Sequence, residues 1–195
     1  MPADIAVLKF FNITISTPVL DGFFIYICDF SIWVWPLAIV ILAILWKGEA
    51  RGRWMVLTVV IAVAIIDPVI YRILKPLVGR IRPCHEIALE WIRTVDGCGG
   101  MYGFPSSHAA NLFGIAVVVG GFYKRTRYYL YPLAVLVIIG RVYLGVHYPS
   151  DVIAGALFGA AVGFAILFAA KKFLPARIKK YFTGGEENGE KDDKG

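Results

Sequence analysis

Long apolar runs separated by short basic or Pro/Gly-rich segments set the pattern of this chain. Residues 23–46, FFIYICDFSIWVWPLAIVILAILW, are long enough to cross a bilayer, and Asp29 and Pro36 predict a break or tilt within them. Residues 54–74 form a second span, with Asp67 expected to face other helices rather than lipid. Further spans are predicted at 109–123, 128–144 and 152–170, the last rich in small residues that permit close helix contact. Residues 2–11 read as a short helix lying at the interface. The expected fold is therefore all-α, a polytopic membrane bundle of about five transmembrane helices, six if the N-terminal segment spans. Residues 1–180 form one membrane domain, and the polar tail 181–195 is expected to be disordered.

Composition supports the membrane reading: 58% of the 195 residues are hydrophobic. The net charge of +6 would elsewhere suggest nucleic acid, but these basic residues flank apolar runs. Lys47, Arg51, Arg53, Lys124, Arg125, Arg127, Lys171, Lys172, Arg177, Lys179 and Lys180 fall on one face and mark it as cytoplasmic, together with the C-terminus. The N-terminus lacks the pattern of a cleaved signal peptide. Lys75, Arg80, Arg82, Arg93 and Arg141 fall on the opposite face with all three histidines, against the positive-inside bias. Topology does not account for that second group, so chemistry must.

Three clusters lie at the mouths of spans on that face. The first, KPLVGRIRP, carries Lys75, Arg80 and Arg82, stiffened by Pro76 and Pro83. Snorkelling at a helix end would explain it alone, but convergent Arg and Lys also suit a phosphate. The second, GFPSSHAAN, offers Ser106 or Ser107 as an N-cap, with His108 in the first helical turn among unpaired amides that favour an anion. An ordinary cap with an incidental histidine is the plainer alternative. In the third, RVYLGVHYPSDV, Ser150 can cap the last span, and Asp151 can take the Nδ1 proton of His147, leaving Nε2 as a nucleophile. A structural His–Asp pair remains the alternative there. Together the clusters offer cations for an anion, two histidines and one orienting carboxylate. No set of Cys, His and carboxylate residues has metal-site spacing, and no cofactor is implied.

These clusters resemble the motifs of the type 2 phosphatidic acid phosphatase superfamily. Lys75, Arg82 and Pro83 match its first motif. Pro105, Ser106 and His108 match the second, with Ser107 in place of glycine, and Arg141, His147 and Asp151 match the third, with Gly140 in place of serine. The resemblance implies metal-independent hydrolysis through a phosphohistidine. His147 would attack phosphorus, His108 would protonate the leaving group and Asp151 would orient His147. Lys75, Arg82, Ser106, Arg141 and the backbone around Ser107 would hold the phosphate oxygens. Gly140 reads as the loss of a hydroxyl that would contact phosphate.

The implied substrate is a phosphorylated or diphosphorylated membrane lipid at the outer surface of a bacterial inner membrane, with the site periplasmic or extracellular. Undecaprenyl diphosphate is the first expectation. Lipid A 1-phosphate, phosphatidylglycerophosphate and phosphatidic acid are alternatives, and a non-enzymatic lipid-transport protein is the rival from another class. Arg80 and Arg93 could reach a headgroup, Arg93 meeting a second phosphate or a sugar. No obligate protein partner is inferred. Cys84 and Cys98, fourteen residues apart in one outward loop, are candidates for a disulfide, two unpaired thiols being the other reading.

Overall fold

Glycines at four-residue spacing bring two helices into near-backbone contact, and the rest of the bundle is arranged around them. A Cβ added at Gly155 or Gly159 of α8 (Pro149–Phe173) would overlap the carbonyls of Ser106 and Ala110 at the start of α6 (Ser107–Phe122). At Gly163 it would stand 2.9 Å from the Gly114 carbonyl. The small-residue seam expected in the last span is thus the central α6–α8 interface. The structure, a computed structural model, describes residues 2–86 and 88–179. The expected disordered tail, 181–195, lies outside the described residues.

Helix α4 (Ala50–Pro68) packs on α6 and α8 and runs on through a π-helical turn, Val69–Leu74, into α5 (Lys75–Val78). Their shared core contains Met55, Ala62, Ile66, Ile70, Ala110, Val118, Phe122 and Leu167. Asp67 faces inward, as its apolar context requires, and accepts from Asn111 Nδ2 at 2.8 Å. Helix α7 (Arg127–Tyr143) flanks α6, and α2 (Pro18–Cys28) packs on α7. The chain breaks at Asp29, whose carboxylate accepts from the Ser31 amide and caps α3 (Phe30–Lys47); Pro36 is carried within that helix. No residue of α3 is buried. A short α9 (Ala176–Lys179) follows α8.

The expectation of five or six long spans is corrected. Among the described residues three helices are long and apolar enough to cross a membrane: Phe30–Lys47, Ala50–Val78 and Pro149–Phe173. A fourth is added if the pair Pro2–Thr14 and Pro18–Cys28, bent by 115°, is one span. The segments expected at 109–123 and 128–144 form helices of 16 and 17 residues. Much of α6 is buried against its neighbours, so protein rather than lipid satisfies its surface.

The N-terminal segment makes contacts beyond the interfacial placement expected of it. Helix α1 (Pro2–Lys9) and the turn Phe10–Thr14 do not simply lie on lipid. Leu8 and Asn12 are fully buried, Leu8 packing near Val142, Tyr148, Val152 and Ala156. Asn12 bridges the backbone of Arg93 and the Tyr143 carbonyl, fastening this segment to the outward loop and to α7.

Candidate active site

Most buried polar side chains of the bundle collect at one end: Lys75, Arg82, Ser106, Ser107, His147 and Asp151. Each is delivered by a local rule. Lys75 begins the turn that Gly79, in the left-handed region at φ 63°, terminates. Arg82 lies in an extended stretch pinned to the returning loop by Arg82 N to Met101 O (3.0 Å) and Gly103 N to Arg80 O (2.8 Å). Ser106 N donates to the Asp151 carbonyl at 2.9 Å, joining the second cluster to the third. Past α7, Gly145 turns the chain at φ 75°, bringing His147 back under the loop.

His147 and Asp151 are both fully buried. Asp151 occupies the third position of α8, and its Oδ2 accepts from the Tyr148 amide at 3.0 Å, while Oδ1 accepts from Arg80 Nη1 at 2.8 Å. Oδ2 also lies 3.5 Å from His147 Nδ1, long for a hydrogen bond. On the other ring edge Arg82 Nη1 stands 3.2 Å from Nε2. A guanidinium only donates, so Nε2 is the acceptor and the ring proton sits on Nδ1, toward Asp151. Burial, and then the nearby charges of Arg82, Arg141 and Lys75, hold the His147 imidazole well below the usual histidine range. The ring is therefore neutral at neutral pH, with its lone pair on the nucleophilic side.

Around that lone pair the charges are nearly all positive. Burial and the neighbouring Arg141 lower the proton affinity of the Arg82 guanidinium. Arg82 Nε, Arg141 Nε, His147 Nδ1 and Ser106 Oγ are buried without a hydrogen-bond partner among the described residues. Convergent buried cations and orphaned donors are costly by themselves and are suited to a dianionic ligand. Lys75 Nζ lies over the Tyr71 ring, 4.3 Å from its centre, and the Tyr71 hydroxyl accepts from Ser107 Oγ at 3.4 Å. Ser107, where the resembling motif has glycine, thus has its own partner in α4's continuation. Among the described residues no group of three or more His, Cys, Asp or Glu is placed to hold a metal ion.

Several expectations change here. Arg80 is not left over for a headgroup: besides Asp151 it pairs with Asp4 at 2.9 Å and stacks on Tyr148. Arg93 is likewise engaged, pairing with Asp21 at 2.5 Å and donating to the Asn12 carbonyl at 3.1 Å. Ser150 is not the cap of α8; Tyr148 holds that position, and Ser150 lies inside the first turn. Ser106 holds the cap position of α6 but makes no side-chain capping bond. Gly140 does not face the phosphate side, since a Cβ there would meet Cys28 Sγ at 2.6 Å and Phe24 at 2.8 Å. Its small size lets α2 approach α7.

Cys84 and Cys98 are disulfide-bonded, with Cα atoms 5.8 Å apart, and Cys28 is free and buried. The residues that sequence reading missed are Asp4, Tyr71, Gly103 and Tyr148. Only Asp4, a lone carboxylate in an apolar helix, carried a signal. Gly103 is revealed by proximity: a Cβ there would stand 2.9 Å from Asp151 Oδ2 and 3.6 Å from His147 Nδ1.

Comparison with known proteins agrees with this geometry. The family model described as PAP2 superfamily matches residues 52–174. The chain is 37% identical over 191 residues to a lipid A 4'-phosphatase of Bacteroides thetaiotaomicron, spanning 90% of this chain and 80% of that protein. It is 33% identical over 172 residues to a lipid A 4'-phosphatase of Porphyromonas gingivalis, spanning 85% and 71%. Its fold matches the crystal structure of a transmembrane PAP2-type phosphatidylglycerolphosphate phosphatase from Bacillus subtilis, with a TM-score of 0.65 and 25% identity, covering 90% of this chain and 88% of that one. With its site at the mouth of an α-helical membrane bundle, the chain belongs to the PAP2 superfamily and is a membrane lipid phosphatase.

Proposed function

We propose that this chain is a lipid A phosphatase of the bacterial inner membrane, removing the 4'-phosphate monoester at the face opposite the basic flanks. The observation that carries the reading is likeness along nearly the whole chain to two lipid A 4'-phosphatases, including the segments that precede the family's shared core. Undecaprenyl diphosphate is the first expectation from the sequence, with Arg93 able to meet a second phosphate or a sugar. The pairing of Arg93 with Asp21 and its bond to the Asn12 carbonyl withdraw that contact from either role.

In this reading Lys75, Arg82, Arg141, the Ser106 hydroxyl and the amides at the start of α6 hold the phosphate oxygens. Their positive field opposes the charge that builds on the transferring group. His147 Nε2 attacks phosphorus, the P–O bond to the lipid breaks, and His108, protonated from water once the phosphate dianion offsets the surrounding cations, gives that proton to the departing oxygen. Asp151 accepts the Nδ1–H and stabilises the charge that forms on the ring. Water then attacks the phosphohistidine, His108 takes its proton, and inorganic phosphate leaves.

The test is purified protein in detergent with bisphosphorylated lipid A, followed by tandem mass spectrometry that distinguishes loss at the two sugar positions. Loss of the 4'-phosphate supports the reading. Phosphate release from undecaprenyl diphosphate or phosphatidylglycerophosphate, with lipid A intact, would overturn it.

A further inference from the structure

We infer that Asp4, in the first turn of α1, is a positioning residue for the hydrolytic site, acting through Arg80 on the carboxylate that orients His147. The inference rests on the assignment of His147 as nucleophile and Asp151 as its partner. Asp4 lies far outside the stretch matched by the family model, residues 52–174, and no motif pointed to it.

The contacts form a continuous chain. Asp4 Oδ2 accepts from Arg80 Nη2 at 2.9 Å and from Ser150 Oγ at 2.6 Å, while Oδ1 accepts from the Ser150 amide at 2.9 Å. Arg80 then uses its other terminal nitrogen, Nη1, on Asp151 Oδ1 at 2.8 Å and on Ser150 Oγ at 2.6 Å. One guanidinium is thus clamped between two carboxylates, with its face on the Tyr148 ring.

The arrangement has a directional consequence. Asp151 holds two donors besides the imidazole, the Tyr148 amide on Oδ2 and Arg80 on Oδ1. Rotation of its carboxylate would carry Oδ2 away from Nδ1, and Arg80 is the group that opposes rotation from the Oδ1 side. Arg80 itself follows a flexible stretch of side chain, and Asp4 is the group that holds its second terminal nitrogen, Nη2, while Tyr148 supports its face and Ser150 shares Nη1 with Asp151. Asp4 also satisfies a free amide in the first turn of α8, the helix that carries Asp151. With a side-chain exposure of 14%, Asp4 is sheltered enough for these bonds to persist. The N-terminal helix is thereby part of the site rather than an accessory on its surface.

The test uses the full chain in detergent, with Asp4→Asn and Asp4→Ala compared against wild type and an Asp4→Glu rescue. kcat and KM are measured per folded molecule with the phosphorylated lipid, and single-turnover labelling follows phosphohistidine formation. Asp4→Asn should lower kcat and the labelling rate about tenfold to a hundredfold, by analogy with losing the hydrogen-bond partner that orients a metal-ligating side chain, with KM changed less than about threefold. Partial recovery in Asp4→Glu is expected. In an Asp151→Asn background the Asp4→Asn change should have little further effect, because its route of action is already cut. An unchanged kcat in Asp4→Asn, or full additivity of the two losses, would overturn the inference. His147→Asn separates the levels: if it still turns over, the underlying assignment of the nucleophile fails, whatever Asp4 does.

Discussion

Replacing Gly103 by Ala should damage catalysis through a single methyl group. The new Cβ would stand 2.9 Å from Asp151 Oδ2 and 3.3 Å from Arg82 Cγ, whereas ordinary contact begins at 3.4 Å. Relief therefore requires a displacement of about 0.5 Å, the difference between 3.4 and 2.9. The Asp151 carboxylate cannot yield freely, since the Tyr148 amide and Arg80 hold it from two sides. Whatever moves is a partner of His147, and the Nδ1–Oδ2 separation is already 3.5 Å. Misplacement by about 1 Å can cost roughly 10²-fold in rate, so half that distance implies a loss of about tenfold in kcat. The accompanying overpacking should lower stability by about 1–3 kcal/mol. The assay is kcat and KM on the phosphorylated lipid in detergent, beside a thermal melt. Gly100→Ala is the control, because a Cβ at Gly100 has nothing within 4 Å and should leave both quantities unchanged. A Gly103→Ala protein that folds and keeps kcat within about twofold of wild type would refute the reasoning.

Three further outcomes are expected. The His147 ring is held neutral by burial and by surrounding cations, so nitrogen NMR of histidine-labelled protein should show the His147 imidazole, assigned by its loss in the His147→Asn protein, still neutral at a pH well under 6.5. By linkage its contribution to stability is present above the unfolded value and is lost as pH falls through about 6.5 toward the lower folded one; a ring that titrates normally would contradict the burial. Breaking the Cys84–Cys98 bond by a double serine change should cost about 3 kcal/mol on the chain-entropy estimate for a loop of this size. The same change should loosen the isolated antiparallel bridge between Ile81 and Tyr102, read by faster amide exchange at Arg82 and Gly103. Exhaustive chelation should leave turnover nearly unchanged, since the proposed mechanism gives the phosphate to Lys75, Arg82 and Arg141; a loss restored by Mg²⁺ or Zn²⁺ would oppose that account.

Much of the chemistry was legible in the chain itself, because membrane burial makes charge expensive. Lys75, Arg82, Arg141, His108, His147 and Asp151 stand out in an apolar sequence, and their order and spacing are local properties. The break at Asp29, the inward-facing Asp67 and the glycine seam of the last helix are local for the same reason. Two kinds of information were not local. The number of long spans depends on whether a helix is sheltered by protein, and α6, at 16 residues, is largely buried by its neighbours. The partner of each charge depends on which distant segments meet. Arg80 finds Asp4 across 76 positions, and Arg93 finds Asp21 across 72, turning both arginines expected at a headgroup into internal ties. Gly140 shows the same division: its identity departs from the motif, but the direction of its missing side chain, toward Cys28 and Phe24, exists only once α2 has packed on α7. Periodicity and burial cost act on each residue where it stands, so the sequence alone reveals which groups must be satisfied. The satisfying partner is chosen when the helices dock, and only the tertiary structure records that choice.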